Sequence, residues 1–248
     1  MSYKIVIPAR YASTRLPGKP LADIGGKPMI VRVAEQAAKT GAEVVIATDF
    51  RKVFDAAKTY GFNAVMTRID HVSGTDRIAE VALKMGWAES EIIVNVQGDE
   101  PLIESALINE VAENLSNHRE AAIATACHPI HTEADFLNPN IVKVVLDKAG
   151  YANYFSRAPI PYPRNGLSDN SPISAMRHIG IYAYRTALLK AYANLTPAPT
   201  EQLESLEQLR ALWHGYKISV AVTDNAPASG VDTQTDLDRV REIFANLG

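Results

Sequence analysis

Three runs of β-branched residues set the limits on how this chain folds. Ile5-Val6-Ile7, Val44-Val45-Ile46 and Ile92-Ile93-Val94 are continuous apolar stretches rather than alternating ones. That is the pattern of strands buried on both faces, as in a sheet covered by helices on either side. Helical spacing fills the intervals at 29–40, 50–60 and 76–85, and a further short strand falls at 64–67. Strands 4–8, 43–48, 64–67 and 91–96 alternating with helices predict βαβ units and a parallel sheet. Crossovers in such units are right-handed.

The pattern changes after Gln97. Leu107, Ile108, Val111 and Leu115 predict a helix over 105–117. Strands follow at 121–127, 141–146, 151–156 and 178–184, some of them antiparallel. Asp147-Lys148-Ala149-Gly150 supplies one hairpin turn. The segment 157–174 holds Pro159, Pro161, Pro163 and Pro172, which predicts a long irregular loop of a functional or mobile kind. Helices at 186–193 and 201–213, a strand at 217–222 and a last helix at 235–246 complete the chain. No repeat or flexible linker divides it, so 1–248 reads as a single α/β domain with a smaller inserted α+β part.

Composition excludes several classes. With 25 basic and 28 acidic residues the charge is nearly balanced, which argues against the basic face of a nucleic-acid binder. The single cysteine, Cys127, permits no intramolecular disulfide and lies in an apolar run, so core packing is expected of it. No run of 18 apolar residues exists, and 3–9 is too short for the apolar part of a signal peptide. The expected location is the cytoplasm, without a membrane partner.

The chemistry gathers at strand ends. Directly after the first strand comes Arg10-Tyr11-Ala12-Ser13-Thr14-Arg15-Leu16-Pro17-Gly18-Lys19-Pro20, and no acidic residue precedes Asp23. Ligands of open α/β sheets bind beyond the carboxyl ends of the strands. Arg10, Arg15 and Lys19 there suit a polyphosphate, with forked donors from Arg and a mobile point charge from Lys. A solvated basic loop is the plainer alternative. The loop is not a P-loop, no G-x-G-x-x-G follows the strand, and one cysteine offers no zinc spacing. A dinucleotide-dependent oxidoreductase is therefore disfavoured.

Val94-Asn95-Val96-Gln97-Gly98-Asp99-Glu100-Pro101 is the second marked feature, a buried strand running into an acidic turn. Asp99 is the natural first ligand for Mg²⁺, which takes one or two carboxylates and keeps waters. Its alternative is a turn aspartate bonded to backbone amides. Glu100, before a proline, is held extended and expected to point away. Asp232 in Gly230-Val231-Asp232-Thr233 is either the second carboxylate or a helix-start residue. Ser73-Gly74-Thr75-Asp76-Arg77 opens a helix and suits a base or ribose edge, or is an ordinary terminus capped by Thr75. His178 and Tyr182 lie four apart, on one face of a strand. Arg157 ends another strand. Glu207 stands among Glu201, Glu204, Gln208 and Arg210, a pattern also typical of a solvated helical face.

On these residues the chain resembles the 3-deoxy-manno-octulosonate cytidylyltransferases, or CMP-Kdo synthetases. The likeness runs through nearly the whole chain. It rests on Ile7 through Pro20, His71 through Arg77, Asn95 through Pro101, Tyr154-Phe155-Ser156-Arg157-Ala158, His178-Ile179-Gly180-Ile181-Tyr182, Leu206-Glu207-Gln208-Leu209-Arg210 and Gly230-Val231-Asp232-Thr233. Gln234 departs from the proline expected at that place. The resemblance implies a Rossmann-like nucleotidyltransferase fold, a homodimer, and Mg²⁺-dependent transfer of CMP from CTP to 3-deoxy-manno-octulosonate (Kdo), giving CMP-Kdo and pyrophosphate for lipopolysaccharide assembly. It further implies that Pro8, Ala9, Arg10, Ser13, Arg15, Lys19, Ser73, Gly74, Thr75 and Arg77 hold CTP. Gln97, Arg157, His178, Tyr182 and Glu207 would face the sugar acid, Asp99 and Asp232 would bind Mg²⁺, and Arg15, Lys19 and Asp99 would be catalytic. Related sugar acids, 8-amino-Kdo or a sialic acid, remain alternatives.

Overall fold

The β-branched runs lie where burial on both faces demands. In β1 (Lys4–Ala9), Ile5 and Ile7 enter one apolar cluster and Val6 the other, and all three are sealed from solvent. The computed structural model describes residues 2–11, 15–71, 73–164, 166, 174–224 and 227–246. A small hairpin follows β1, formed by β2 (Asp23–Ile24) and β3 (Lys27–Pro28). Next come α1 (Met29–Ala38), β4 (Glu43–Thr48), α2 (Arg51–Thr59), β5 (Asn63–Met66), α3 (Gly74–Lys84), β6 (Ile92–Asn95) and α4 (Ser105–Asn117). The second half supplies β7 (Ala121–Pro129), α5 (Glu133–Leu137), β8 (Lys143–Leu146), β9 (Ala152–Ser156) and β10 (Met176–Arg185). Then follow α6 (Thr186–Tyr192), α7 (Pro199–Glu204), α8 (Gln208–Trp213), β11 (Lys217–Val222) and α9 (Gln234–Asn246).

The main sheet runs β11-β7-β10-β6-β1-β4-β5. β6, β1, β4 and β5 are mutually parallel, as the alternating runs predict. β10 enters antiparallel between β6 and β7, and the β8–β9 hairpin hangs from its start. One face packs on α1 and α4, through Ile30, Val33, Leu107 and Val111. The other packs on α3, α6 and α8, through Ile78, Val81, Leu188 and Leu209. Cys127 is buried in this second cluster, and burial pushes its thiol up to about 12, so it packs as an apolar side chain. Among the described residues no helix is long and apolar enough to cross a membrane.

Two elements depart from expectation. The helix expected over 201–213 is two helices, α7 and α8. Ser205 between them takes the left-handed conformation at φ 53°, which ends α7 and turns Glu207 onto a new axis. Glu201 is also not on a solvated face. It is buried and clasps Arg210 through both carboxylate oxygens, at 2.6 and 2.8 Å, locking the two helices together. The second departure is a bulge in β10 between Ile179 and Tyr182, which breaks the simple alternation linking His178 to Tyr182. Residues 165 and 167–173 of the expected 157–174 loop, Pro172 among them, lie outside the described residues.

Candidate active site

The basic loop ends in a turn built to hold one lysine. Gly18 sits at φ 70°, a conformation that glycine adopts without Cβ strain. It leads into the short 3₁₀ turn Lys19–Leu21, with Lys19 N–H donating to the Leu16 carbonyl at 3.1 Å. The Tyr11 ring lies against Gly18 and stacks on Phe50 at 3.8 Å, anchoring the near side of the loop to the start of α2. The Lys19 side chain is only 14% exposed.

Asp99 and Asp232 meet at this lysine. Gly98 carries the chain out of β6 and over the end of β1, so close that a Cβ would lie 2.7 Å from the Pro8 carbonyl. Val231 N–H then donates to the Asp99 carbonyl at 2.8 Å and draws the 230–232 segment alongside. Lys19 Nζ donates to Asp99 Oδ2 at 2.6 Å, to the Val231 carbonyl at 2.7 Å and to Asp232 Oδ1 at 3.1 Å. Arg15 Nη2 reaches the same Asp232 oxygen at 3.0 Å. Asp232 is not spent on capping α9: Asp236 accepts from the Asp232 and Thr233 amides and from the Thr233 hydroxyl, leaving the Asp232 carboxylate turned to the site.

These groups line a cavity of about 390 Å³ with Pro8, Ala9, Arg10, Gly74 and Gln97. A second cavity, about 350 Å³, shares Gly74 and Gln97 with the first. Its walls carry Thr75, Asn95, Glu100, Tyr182, Tyr184, Tyr192, Glu207 and Gln208. No Lys or Arg lines it among the described residues. Burial, reinforced by the neighbouring Asp99 charge, pushes the Glu100 carboxyl up to about 8. Glu207 is raised too, mainly by burial, while Thr75 donates to it at 3.3 Å. Asn95 Oδ1 and Gln208 Nε2 are buried without partners among the described residues, one acceptor and one donor in the wall of the same cavity. A third hollow, about 520 Å³, adjoins both and is bordered by Asp99, Glu100, Asp232, His128, Arg177 and His178.

The expected site residues fall into groups. Pro8, Ala9, Arg10, Arg15, Lys19, Gly74, Asp99 and Asp232 share the first cavity. Thr75, Tyr182 and Glu207 line the second, and Gln97 borders both. Ser73, rather than Thr75, caps α3 in a reciprocal capping box with Asp76. His178 borders the third hollow, though its ring lies 5.5 Å from that of Tyr182, and burial holds it down to about 3, so it is neutral. Arg77 is fully buried below the cavities, its guanidinium on Asp49 at 2.8 Å and on Thr67. The Arg157 guanidinium is engaged by the Glu204 carbonyl at 2.7 Å and the Pro139 carbonyl at 3.1 Å, and it lines none of the three cavities. Ser13 lies outside the described residues. Glu100 faces inward, contrary to expectation, because the turn after Gly98 folds it beneath Gly230, where a Cβ would lie 3.5 Å from its Cγ. Asn95, Tyr184, Tyr192 and Gln208 line the second cavity in addition to the expected residues. A polar Asn closing an otherwise apolar strand was the available signal for Asn95; the tyrosines have none.

The acidic pair suits a divalent cation. Both carboxylates already converge on one cationic centre, the Lys19 ammonium, with Val231 O beside them. Among the described residues no group of three or more His, Cys, Asp or Glu could hold a metal. Two carboxylates completed by water and substrate phosphate is the usual manner of Mg²⁺.

Residues 4–218 match the family described as Cytidylyltransferase. The chain belongs to that family. Over its whole length and the whole of the other chain it is 44% identical to a solved CMP:2-keto-3-deoxy-manno-octonic acid synthetase complexed with CTP, with a TM-score of 0.91. A cytidylyltransferase from Leptospira borgpetersenii serovar Hardjo-bovis (strain JB197) is 19% identical, covers 99% of this chain and 87% of its own, and superposes with a TM-score of 0.62. At that identity the likeness speaks for the fold, which in this cytidylyltransferase is the expected α/β sheet flanked by helices.

Proposed function

We propose that this cytidylyltransferase joins CTP to Kdo, forming CMP-Kdo and releasing pyrophosphate. The observation that carries the reading is the full-length 44% identity to a Kdo-activating synthetase holding CTP. Two abutting cavities of opposite character support it. The cationic one suits the triphosphate. Arg10 and Arg15 offer forked donors, and Lys19 a point charge, to oxygens that gain charge as pyrophosphate departs. Pro8, Ala9 and Gly74 bring backbone close to the nucleotide. The second cavity, walled by hydroxyls, amides and carboxyls held toward their neutral form, suits the polyhydroxylated body of the sugar, with Gln97, Tyr182, Glu207, Gln208 and Asn95 as partners. His178 works from the adjoining hollow.

In the reaction the anomeric hydroxyl oxygen bonds to the α-phosphorus as the bond from that phosphorus to the β-phosphate bridging oxygen breaks. The hydroxyl proton passes to solvent. Gln97, on the border of both cavities, and Gly74, at the start of α3, set the two reactants in line. Asp99 and Asp232 would hold a divalent cation, Mg²⁺ in this reading, which supplies Lewis-acid polarisation when bound. Arg77 serves by fixing the floor rather than touching nucleotide, and Arg157 by tying the β9 end to α7. We also assign a homodimer, with Tyr162, 79% exposed between Pro161 and Pro163, on its contact face; light scattering after size exclusion tests it.

The decisive assay is pyrophosphate release with CTP and Mg²⁺, run with Kdo, 8-amino-Kdo, a sialic acid and no sugar. Release with Kdo and none without sugar is expected. Preference for another acid would reassign the acceptor. No release from folded protein that binds CTP would sink the substrate assignment.

A further inference from the structure

The Lys19 ammonium has no hydrogen left to give. An ammonium carries three donors, and all three are spent, on Asp99 Oδ2, Asp232 Oδ1 and the Val231 carbonyl. In the reading above this lysine serves the triphosphate, and these two carboxylates hold the divalent cation. Neither duty is possible in the arrangement seen. Lys19 on the carboxylates is off the phosphates, and a cation between the carboxylates must evict Lys19. Once Lys19 leaves, Arg15 still faces Asp232 at 3.0 Å, whereas Asp99 loses its ion-pair partner.

We propose that Lys19 is a placeholder for the divalent cation: its ammonium fills the seat between Asp99 and Asp232 in the nucleotide-free chain, and the triphosphate draws it off, so the cation enters with the nucleotide rather than before it. The proposal rests on the assignment of Asp99 and Asp232 as the cation site. It makes one side chain the link between two ligands. In the empty chain the lysine screens two converging carboxylates from each other. In the loaded chain the same charge moves to the phosphates. Because the side chain is largely buried, the seat is occupied by geometry and not by chance collision.

The test is Mn²⁺ binding to the full chain without nucleotide, followed by titration calorimetry and by the electron-spin signal of free Mn²⁺. Lys19→Met keeps the length of the side chain and removes its charge, with Lys19→Gln in reserve should the first fail to fold. Either variant is expected to bind Mn²⁺ at least about fivefold tighter than wild type, the lower end of ordinary coupling between sites. Adding Asp99→Asn to it should return the affinity to the wild-type level. Arg10→Met removes a charge from the same cavity, one that forms no ion pair with either carboxylate. It should leave Mn²⁺ affinity within about twofold. Unchanged affinity in folded Lys19 variants overturns the proposal. Equal tightening by Arg10→Met overturns it too, because the effect would then be the net charge of the cavity. Wild-type pyrophosphate release is read separately. Turnover with unaltered Mn²⁺ affinity in the variants rejects the placeholder and keeps the function; tightened affinity without turnover does the reverse.

Discussion

Replacing Arg77 by methionine separates a residue that holds the fold from one that holds nucleotide. Its guanidinium is fully buried, paired with Asp49 at 2.8 Å and bonded to the Thr67 hydroxyl, so it straps the exits of β4 and β5 to α3. The Asp49 side chain is 11% exposed. Methionine fills much of the volume but leaves that carboxylate without its partner. Breaking a buried pair from one side costs about 3–5 kcal/mol. For a chain of this size each kcal/mol lowers the melting temperature by about 2–4 °C. Arg77→Met should therefore melt about 6–20 °C below wild type. Adding Asp49→Asn removes the stranded charge and should recover part of the loss, a coupling that a double-mutant cycle reads directly. Scanning calorimetry gives the melting temperatures and titration calorimetry the CTP affinity at a temperature where every variant is folded. CTP affinity should fall modestly, through loosening of Gly74 and Thr75 above. A variant that melts within 2 °C of wild type yet loses CTP binding more than tenfold would show that Arg77 contacts the nucleotide, and the strap would be wrong.

Three further outcomes are expected. Asp99→Asn should keep its far-UV spectrum and lose turnover on the order of a hundredfold or more, the scale of deleting one electrostatic partner of the reacting groups; a near-wild-type rate at saturating Mg²⁺ would take Asp99 out of the site. Gly98→Ala places a Cβ 2.7 Å from the Pro8 carbonyl. The shift it forces should cost about 1–3 kcal/mol and displace Asp99, so melting temperature and rate should fall together; unchanged values for both would mean that the turn gives way freely. Burial lowers the His178 pKa to about 3, below its unfolded value. The unfolded chain then binds the extra proton below about pH 6.5, so stability falls with acid from there toward pH 3, by about 1.4 kcal/mol per pH unit at most. His178→Gln should flatten the stability curve between pH 6.5 and 5, measured by denaturant titration; an identical slope would mean the ring is charged in the fold.

The parallel half of the sheet was legible because β1, β4 and β6 announce themselves. Burial on both faces leaves a run of β-branched residues, and β4 and α4 fall where the pattern puts them. The basic loop and the acidic turn were legible for a related reason, since unpaired like charges at a strand end have few structural uses. What stayed hidden depends on contacts distant in sequence. Nothing near Glu201 says that Arg210 neutralises it, so the run 201–213 reads as one wet helix, when a left-handed Ser205 folds it into two. Arg77 looks like a ligand for the nucleotide until Asp49, 28 residues earlier, is seen to claim it. Arg157 likewise looks available until the Glu204 and Pro139 carbonyls are placed around it. An arginine's partner is a property of the fold, and the sequence shows only the arginine.

The sheet order also explains why the site has two chemistries side by side. From β1 the parallel strands continue through β4 to β5 on one flank, while β6 lies on the other, and the loops leaving β1 and β6 meet over a crevice at the carboxyl ends of the sheet. Parallel strands bring only their ends to that crevice, and those ends carry Arg10 and Asp99. β10 runs the opposite way against β6, with Tyr182 opposite Asn95. Its body, not its end, therefore reaches the same edge, and with it come His178, Gly180 and Tyr182. A charged pocket fed by strand ends meets a hydroxyl-rich pocket fed by the body of a reversed strand. Turning one strand round places a hydroxyl-rich pocket beside a cationic one, the juxtaposition that the proposed pairing of sugar and triphosphate uses.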